Sequence, residues 1–98
     1  MPTLVALQRF DLRIPGCASL KQKRHVVKGL TAALRQRFPV SVAEVDHHDL
    51  WQRTAIAVAA VGADGHHLRR VQHEVEKLVE RWGEVEVIDR DLQVVAPD

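Results

Sequence analysis

The sequence has few of the residues on which secreted, glycosylated or membrane proteins depend. Its single cysteine, Cys17, cannot form an internal disulfide, which excludes a disulfide-stapled secreted scaffold. It contains no asparagine and therefore no acceptor for N-linked glycosylation. No apolar run approaches the roughly 18 residues of a membrane helix, and the first residues do not form a basic segment followed by an apolar one, as in a signal peptide. We therefore expect a cytoplasmic protein that does not enter a membrane.

What the sequence does contain is the composition of a globular domain. Of its 98 residues, 46% are hydrophobic, which is an ordinary fraction for a folded protein. A chain of this length can bury a core without the help of a metal or a disulfide. We therefore expect one domain that spans residues 1–98.

The hydrophobic periodicity predicts the order strand, helix, strand, strand, helix, strand. The predicted strands are residues 3–14, 40–45, 50–61 and 84–95, and the predicted helices are residues 19–38 and 64–82. Ser19 and Asp64 are the predicted N-caps, Pro39 and Gly83 end the two helices, and an irregularity is expected near Ile88. This order predicts a ferredoxin-like α+β fold, a βαββαβ sandwich whose four-stranded antiparallel sheet carries two helices on one face.

The first and third predicted strands are apolar on both faces, as in strands that are covered from both sides. We therefore expect them at the centre of the sheet. Because the helices cover only one face, the other face needs a different cover, and exposed apolar patches usually mark an interface. A second copy of the chain is the simplest cover, so we expect a homodimer through the open sheet face. The alternative is a monomer whose exposed residues on that face are mostly small alanines.

The net charge of +1 conceals a polarised chain. Residues 12–43 contain seven basic residues and no acidic one, whereas residues 44–98 contain twelve acidic and six basic residues. Most of the positive charge falls on the first helix, and cations beside a helix N-terminus attract phosphate. The predicted phosphate-binding residues are Lys21, Lys23, Arg24, Lys28, Arg35 and Arg37, with Arg13 or Arg53 assisting if the fold brings them near.

Other functions of this fold require residues that the chain lacks. An RNA recognition motif stacks bases on aromatic residues of its central strands, and only Phe10 is present there. Acylphosphatase has the same order of elements, but it needs an arginine in the loop after the first strand and an asparagine, and this chain has neither. The pairs His47-His48 and His66-His67 do not have the spacing of metal ligands. We therefore expect no enzymatic activity, no metal and no cofactor.

Two functions remain open, beside a third class, a small-molecule or metal-binding regulator, that rests only on the histidines. The first is a non-enzymatic factor that binds RNA or a ribosomal subunit through the phosphate contacts of the basic helix. The alternative is a protein-interaction or self-assembly module with no nucleic-acid role, in which the basic helix docks on an acidic surface or only faces solvent. We expect Trp51 to anchor the hairpin and Trp82 to lie in the core.

Two segments resemble the signatures of a known family. Residues 14–16 (IPG) and 19–24 (SLKQKR) are similar to the I-P-x-x-x-S-L-K-x-K-R signature of the YlxP-like family. Residues 42–46 (VAEVD) and 49–53 (DLWQR) resemble its second signature, V-A-E-V-D-x-x-D-L-W-Q-R. The resemblance implies a ferredoxin-like fold and a bacterial protein of unknown function. Because genes of the family often lie beside those for translation initiation and ribosome maturation, it also implies, by association only, a role near the ribosome.

Overall fold

The computed structural model describes residues 2–97, so Met1 and Asp98, the two ends of the predicted domain, lie outside the described residues. The elements are β1 Leu4–Arg13, α1 Leu20–Arg37, β2 Ser41–Asp46, β3 Arg53–Gly62, α2 Gly65–Glu80 and β4 Glu86–Val95. The strands pair antiparallel in one sheet with the order β2-β3-β1-β4, and α1 and α2 lie on one face of it. The prediction of a ferredoxin-like fold with β1 and β3 at the centre is therefore confirmed.

One face of the sheet carries the hydrophobic core. Every second side chain of β1 and β3 points to this face, where the apolar stripes of α1 and α2 cover it. Burying each large side chain of this kind stabilises the fold by about 1.5–3 kcal/mol. The large aliphatic and aromatic side chains that are fully buried are Phe10, Leu12, Leu30, Leu34, Ile56, Val58, Leu68, Val75 and Val79.

The two helices begin where the sequence predicts. The Ser19 side chain accepts a hydrogen bond from the backbone N–H of Gln22 at 3.1 Å, and the Gln22 side chain accepts one from the N–H of Ala18 at 2.9 Å. Asp64 accepts from two backbone N–H groups in the first turn of α2. These caps satisfy donors that have no partner within the helix. Proline at position 39 follows the end of α1, as predicted.

The connection between β2 and β3 is longer than the sequence predicts. β3 begins at Arg53 rather than at Leu50, because residues 47–52 form a turn. The backbone of His47 adopts a left-handed conformation with φ 61°, and the N–H of Leu50 donates to the carbonyl of His47 at 3.1 Å. The predicted strands leave a turn at residues 46–49, whereas the observed connection spans residues 47–52 and is called the 47–52 turn.

The last two elements also differ in detail from the prediction. α2 ends at Glu80, where the N–H of Arg81 donates to the carbonyl of Lys77, and Gly83 does not take the positive φ of a C′ glycine. The irregularity expected in the last strand is confirmed as a register shift, which leaves Ile88 without a partner on β1. Among residues 2–97, no helix is long and apolar enough to cross a membrane.

No element of residues 2–97 covers the face of the sheet opposite the helices. Its centre on β3 is formed by small alanines, as the sequence indicates. Larger apolar side chains surround these alanines and are between 39% and 72% exposed: Leu7, Val45, Val61 and Val95. The homodimer through this face stays a prediction.

Candidate nucleic-acid interface

Three basic residues in the first half of α1 share one exposed helix face. Lys21, Arg24 and Lys28 follow one another at spacings of three and four residues, which places them side by side on the helix surface. All three are exposed. Within residues 2–97, none of them has a carboxylate within 4.0 Å. The structure therefore brings these three predicted residues together as an uncompensated positive surface, which we call the α1 basic face.

Lys23 lies elsewhere, although the sequence analysis grouped it with these residues. Its side chain is only 3% exposed, and its ammonium lies 3.2 Å from Glu44 Oε2 of β2. The same Nζ donates to the backbone carbonyls of His47 at 2.5 Å and His48 at 3.3 Å. Glu44 Oε2 also accepts from the hydroxyl of Thr54 at 2.6 Å. Lys23 therefore holds the 47–52 turn against α1, and its charge is not presented to a ligand at the surface.

The helical spacing contains the signal that identifies Lys23 as buried. It precedes Val26, Leu30 and Leu34 at intervals of three or four residues, so it extends the buried stripe of α1 by one turn. Its residue type nevertheless predicts a surface cation, because lysine is almost never buried unless it is paired. Here it is paired, because β2 places Glu44 opposite it.

The two arginines at the end of α1 are partly engaged by the fold. Arg35 donates from its guanidinium to the backbone carbonyl of Val42 at 2.6 Å, which ties α1 to β2. The guanidinium of Arg37 lies 5.7 Å from the ring centroid of Phe38, within the range of a cation–π contact. Both residues are exposed, but they lie at the opposite end of α1 from its basic face.

Arg13 and Arg53 lie on the other side of the sheet. They are cross-strand partners on β1 and β3, and their neighbours Leu12 and Thr54 point into the core beneath the helices. Arg13 pairs with Glu86 at 3.1 Å. The structure therefore does not bring Arg13 and Arg53 to the α1 basic face.

A cavity of about 330 Å³ lies between α1 and the 47–52 turn. Leu20 and Val27 give it an apolar wall. Its helix side also contains the exposed Arg24 and Lys28 and the buried Lys23. The sheet and the turn contribute a carboxylate, an imidazole and a second carboxylate, from Glu44, His48 and Asp49. Such a mixture of apolar wall and charged groups is typical of small binding pockets.

The expectation that Trp51 anchors the hairpin is wrong. Trp51 and its neighbour Leu50 are each 50% exposed, and neither belongs to the hydrophobic core. Trp82, in contrast, packs against the core as predicted. A tryptophan that follows Asp49 and Leu50 in a turn gives no sequence signal of its exposure, because a hairpin anchor has the same pattern.

The side chains of His47 and His48 point to different sides of the sheet. His47 Nε2 lies 3.6 Å from Asp11 on the open face, whereas His48 Nε2 lies 4.0 Å from Glu44 on the helix face. In the described part of the chain, no three His, Cys, Asp or Glu side chains are grouped so as to hold a metal ion. On the open face, the backbone N–H of His47, followed by the side chain of Arg9, lowers the pKa of Asp46 below its usual value.

Comparison with known proteins identifies a family. The sequence profile of a family described as "Protein of unknown function (DUF503)" matches residues 5–92. The chain is 34% identical over 73 residues, 74% of each protein, to "Uncharacterized protein YlxP" of Bacillus subtilis (strain 168). Among solved structures, it is similar to a C-terminal segment of the alpha subunit of aIF2 from Pyrococcus abyssi, with a TM-score of 0.48 and 12% identity over 100% of this chain. The chain covers 52% of that segment, about half its length. The chain therefore belongs to the DUF503 family of proteins of unknown function, in agreement with its resemblance to YlxP-like sequences.

Proposed function

We propose that this protein is a non-enzymatic RNA-binding factor that holds backbone phosphates on the α1 basic face, with ribosomal RNA as the candidate target. The observation that supports the proposal is the exposure of Lys21, Arg24 and Lys28 on one helix face without carboxylate partners. Binding to RNA depends mainly on such phosphate contacts, which release counterions from the nucleic acid.

The position of Lys21 on the helix adds to the argument. Lys21 lies in the first turn of α1, where a cation opposes the helix dipole at a cost of about 0.3–1 kcal/mol, whereas Arg24 and Lys28 lie beyond the turn in which this effect is strong. α1 has no acidic residue in its first turn to offset this cost. A phosphate bound beside this helix end would neutralise the cations and interact favourably with the dipole. The charge pattern is therefore unfavourable for the isolated helix and favourable for a helix that binds an anion.

The second helix provides a comparison within the same molecule. On α2, Lys77 pairs with Glu74 at 3.6 Å, and Arg90 of β4 pairs with Glu76 and Glu80. Ion pairs thus compensate much of the charge on α2, which is the pattern of a solvated surface helix. The face on α1 differs in having charge of one sign only.

The structure reduces the predicted set of phosphate contacts. Lys23 is buried, and Arg13 and Arg53 lie on the opposite face of the sheet. Arg35 and Arg37 lie in the last turn of α1, away from its basic face. We therefore expect about three phosphate contacts, and a slope of log K against log salt of about −2 for single strands and about −2.7 for duplexes. A slope near −6 would indicate that the whole predicted set is engaged.

The test measures RNA affinity across salt concentrations for two charge-matched variants. Arg24→Gln/Lys28→Gln removes two cations of the α1 basic face, and Arg69→Gln/Arg70→Gln removes two exposed cations of α2. We expect the first variant alone to weaken binding and to reduce the size of the salt slope by about 1.4–1.8. Absence of binding at low salt, or an equal loss in both variants, would show that the α1 basic face is not an RNA site.

The open sheet face supports a second candidate function, self-assembly. Its exposed apolar side chains include Leu7 at 39% and Val61 at 72% exposure, and such patches usually mark an interface. Sedimentation of the protein and of a Val61→Asp variant, at low and high salt, tests this candidate. A dimer that the substitution dissociates, together with no affinity for RNA, would favour self-assembly over RNA binding.

A further inference from the structure

The 47–52 turn is fastened to the rest of the molecule at both ends. At its start, the Lys23 ammonium binds the backbone carbonyls of His47 and His48. At its end, the carbonyl of Gln52 accepts from the N–H of Ile14 at 2.9 Å, and the Gln52 side chain donates to the carbonyl of residue 17 at 3.2 Å. Four hydrogen bonds therefore fix the position of this turn beside the first turns of α1.

A turn held in this way nevertheless leaves two large apolar side chains in solvent. Leu50 and Trp51 are each 50% exposed, whereas a tryptophan normally contributes a large buried area. Asp49, Leu50 and Trp51 line a second, shallow depression at the tip, together with Gln52 and Arg53. Asp49 also lines the cavity beside α1, so Trp51 follows by two residues a member of a cavity whose helix side contains Arg24 and Lys28.

The charges around Trp51 indicate which partner suits it. A hydrophobic protein segment would have to cover the indole while it desolvates Asp49 and Arg53, which line the same depression, and this is unfavourable. An unpaired nucleotide satisfies both features, because its base stacks on an aromatic ring and its phosphates pair with lysine and arginine. In a duplex the bases are stacked on one another and are not available to an indole.

We propose that the protein binds unpaired RNA in preference to duplex RNA, with one base stacked on Trp51 and the adjoining phosphates on Arg24 and Lys28. This inference rests on the proposed function, since it names the class of RNA that the α1 basic face receives. It places the aromatic contact in a turn beside α1. In an RNA recognition motif the corresponding aromatic residues lie on the central strands of the sheet.

The test compares a 12-nucleotide single-stranded RNA with a duplex of the same length, each fluorescently labelled, by anisotropy at low salt. The wild-type protein is expected to bind the single strand more tightly. Trp51→Ala is expected to weaken single-strand binding by about 5- to 150-fold, the range for loss of one stacked base, and to remove the preference over duplex. Trp51→Phe is expected to keep most of that preference, because phenylalanine still offers a ring.

Trp82→Phe is the matched control, since Trp82 packs against the core and lies away from the turn. It is expected to keep the wild-type preference, and it leaves Trp51 as the chain's one tryptophan, whose emission the single strand should quench. If Trp82→Phe does not fold, the anisotropy comparison of the other variants still decides the question.

The outcomes separate the two proposals. Binding of both RNAs with equal affinity, or an unchanged preference in Trp51→Ala, overturns the preference for unpaired RNA and leaves phosphate binding in place. Binding of neither RNA overturns the proposed function itself. A loss that is equal for single strand and duplex in Trp51→Ala shows that the indole does not stack on a base, and also overturns this inference.

Discussion

Replacing Lys23 by methionine tests the contacts that fasten the 47–52 turn. The substitution keeps the apolar stem but removes the ammonium, which lies 3.2 Å from Glu44 and donates to two backbone carbonyls. Only 3% of the lysine side chain is exposed, so water cannot replace the lost contacts. Removing one partner of a buried pair costs about 3–5 kcal/mol. Because Glu44 is 22% exposed and keeps its bond to Thr54, we expect the lower end, about 3 kcal/mol.

Urea unfolding followed by tryptophan fluorescence measures this loss. With an m-value of about 1–3 kcal/mol/M, a loss of this size lowers the urea midpoint by about 1–3 M. Lys21→Met is the matched control, because Lys21 lies two residues earlier on the same helix and is exposed. We expect this control to stay within about 0.5 kcal/mol of the wild-type protein.

A double-mutant cycle shows whether the loss belongs to the pair. Glu44→Gln and the double variant Lys23→Met/Glu44→Gln complete the cycle, and contacting residues usually couple by about 0.5–3 kcal/mol. We expect a coupling above about 1 kcal/mol, since the two charges lie in direct contact. The reasoning is refuted if Lys23→Met is as stable as Lys21→Met, or if the two single losses add without coupling.

Three further substitutions test other parts of the fold. Gly29→Ala should stabilise the protein by up to about 1 kcal/mol in urea unfolding, because alanine favours the helix. The added Cβ would lie 3.5 Å from the Trp82 ring, which is an ordinary contact distance. A loss of stability would mean that the helix and the ring pack more tightly than this distance indicates. Asp64→Ala should cost about 1 kcal/mol in the same assay through loss of the α2 cap, and no loss would show that solvent satisfies those amides equally well. The Asp46 carboxyl, titrated by NMR, should have a pKa below 3.8, mainly because the backbone N–H of His47 donates a hydrogen bond to the carboxylate. A carboxyl whose pKa is lower in the folded state stabilises the fold at pH values above its unfolded-state pKa, and this contribution is lost as the pH falls through the folded-state pKa. Asp46→Asn should therefore be less stable than the wild-type protein at neutral pH and should lose less stability on acidification. A pKa at or above 3.8 would contradict this.

The order of the elements could be predicted because it depends on periodicity and on local signals. Ser19 and Asp64 act as caps through contacts within three residues, and Pro39 ends α1 because proline cannot continue it. Apolar residues on both faces of β1 and β3 identified the central strands, since strands that are covered from both sides do not need to alternate between apolar and polar residues. Where the prediction failed, at the 47–52 turn, the structure depends on a left-handed residue and on contacts from distant parts of the chain.

The site was harder to predict because a charged residue that is buried supports the fold instead of presenting its charge at the surface. Counting charges grouped Lys23 with Lys21 and Arg24, yet only the spacing along α1 distinguishes the buried lysine from the exposed pair. Arg13 and Arg53 are close in sequence to the basic helix or its hairpin, and they were therefore predicted to assist it. Strand pairing, which the charge count does not consider, places both of them on the other side of the sheet. Charge counts therefore grouped residues that the fold places on different surfaces.

The residues behind the family resemblance divide into two groups with different consequences for any experiment. Lys23, Glu44 and Gln52 are used by the fold, since they connect α1, β2 and the 47–52 turn. Arg24 and Trp51 belong to the same two motifs, yet they are exposed and no core contact requires them. Substitutions in the first group will reduce any activity by unfolding the protein, whatever that activity is. A function can be assigned only from variants of the second group, whose stability should stay within about 0.5 kcal/mol of the wild-type protein while binding changes.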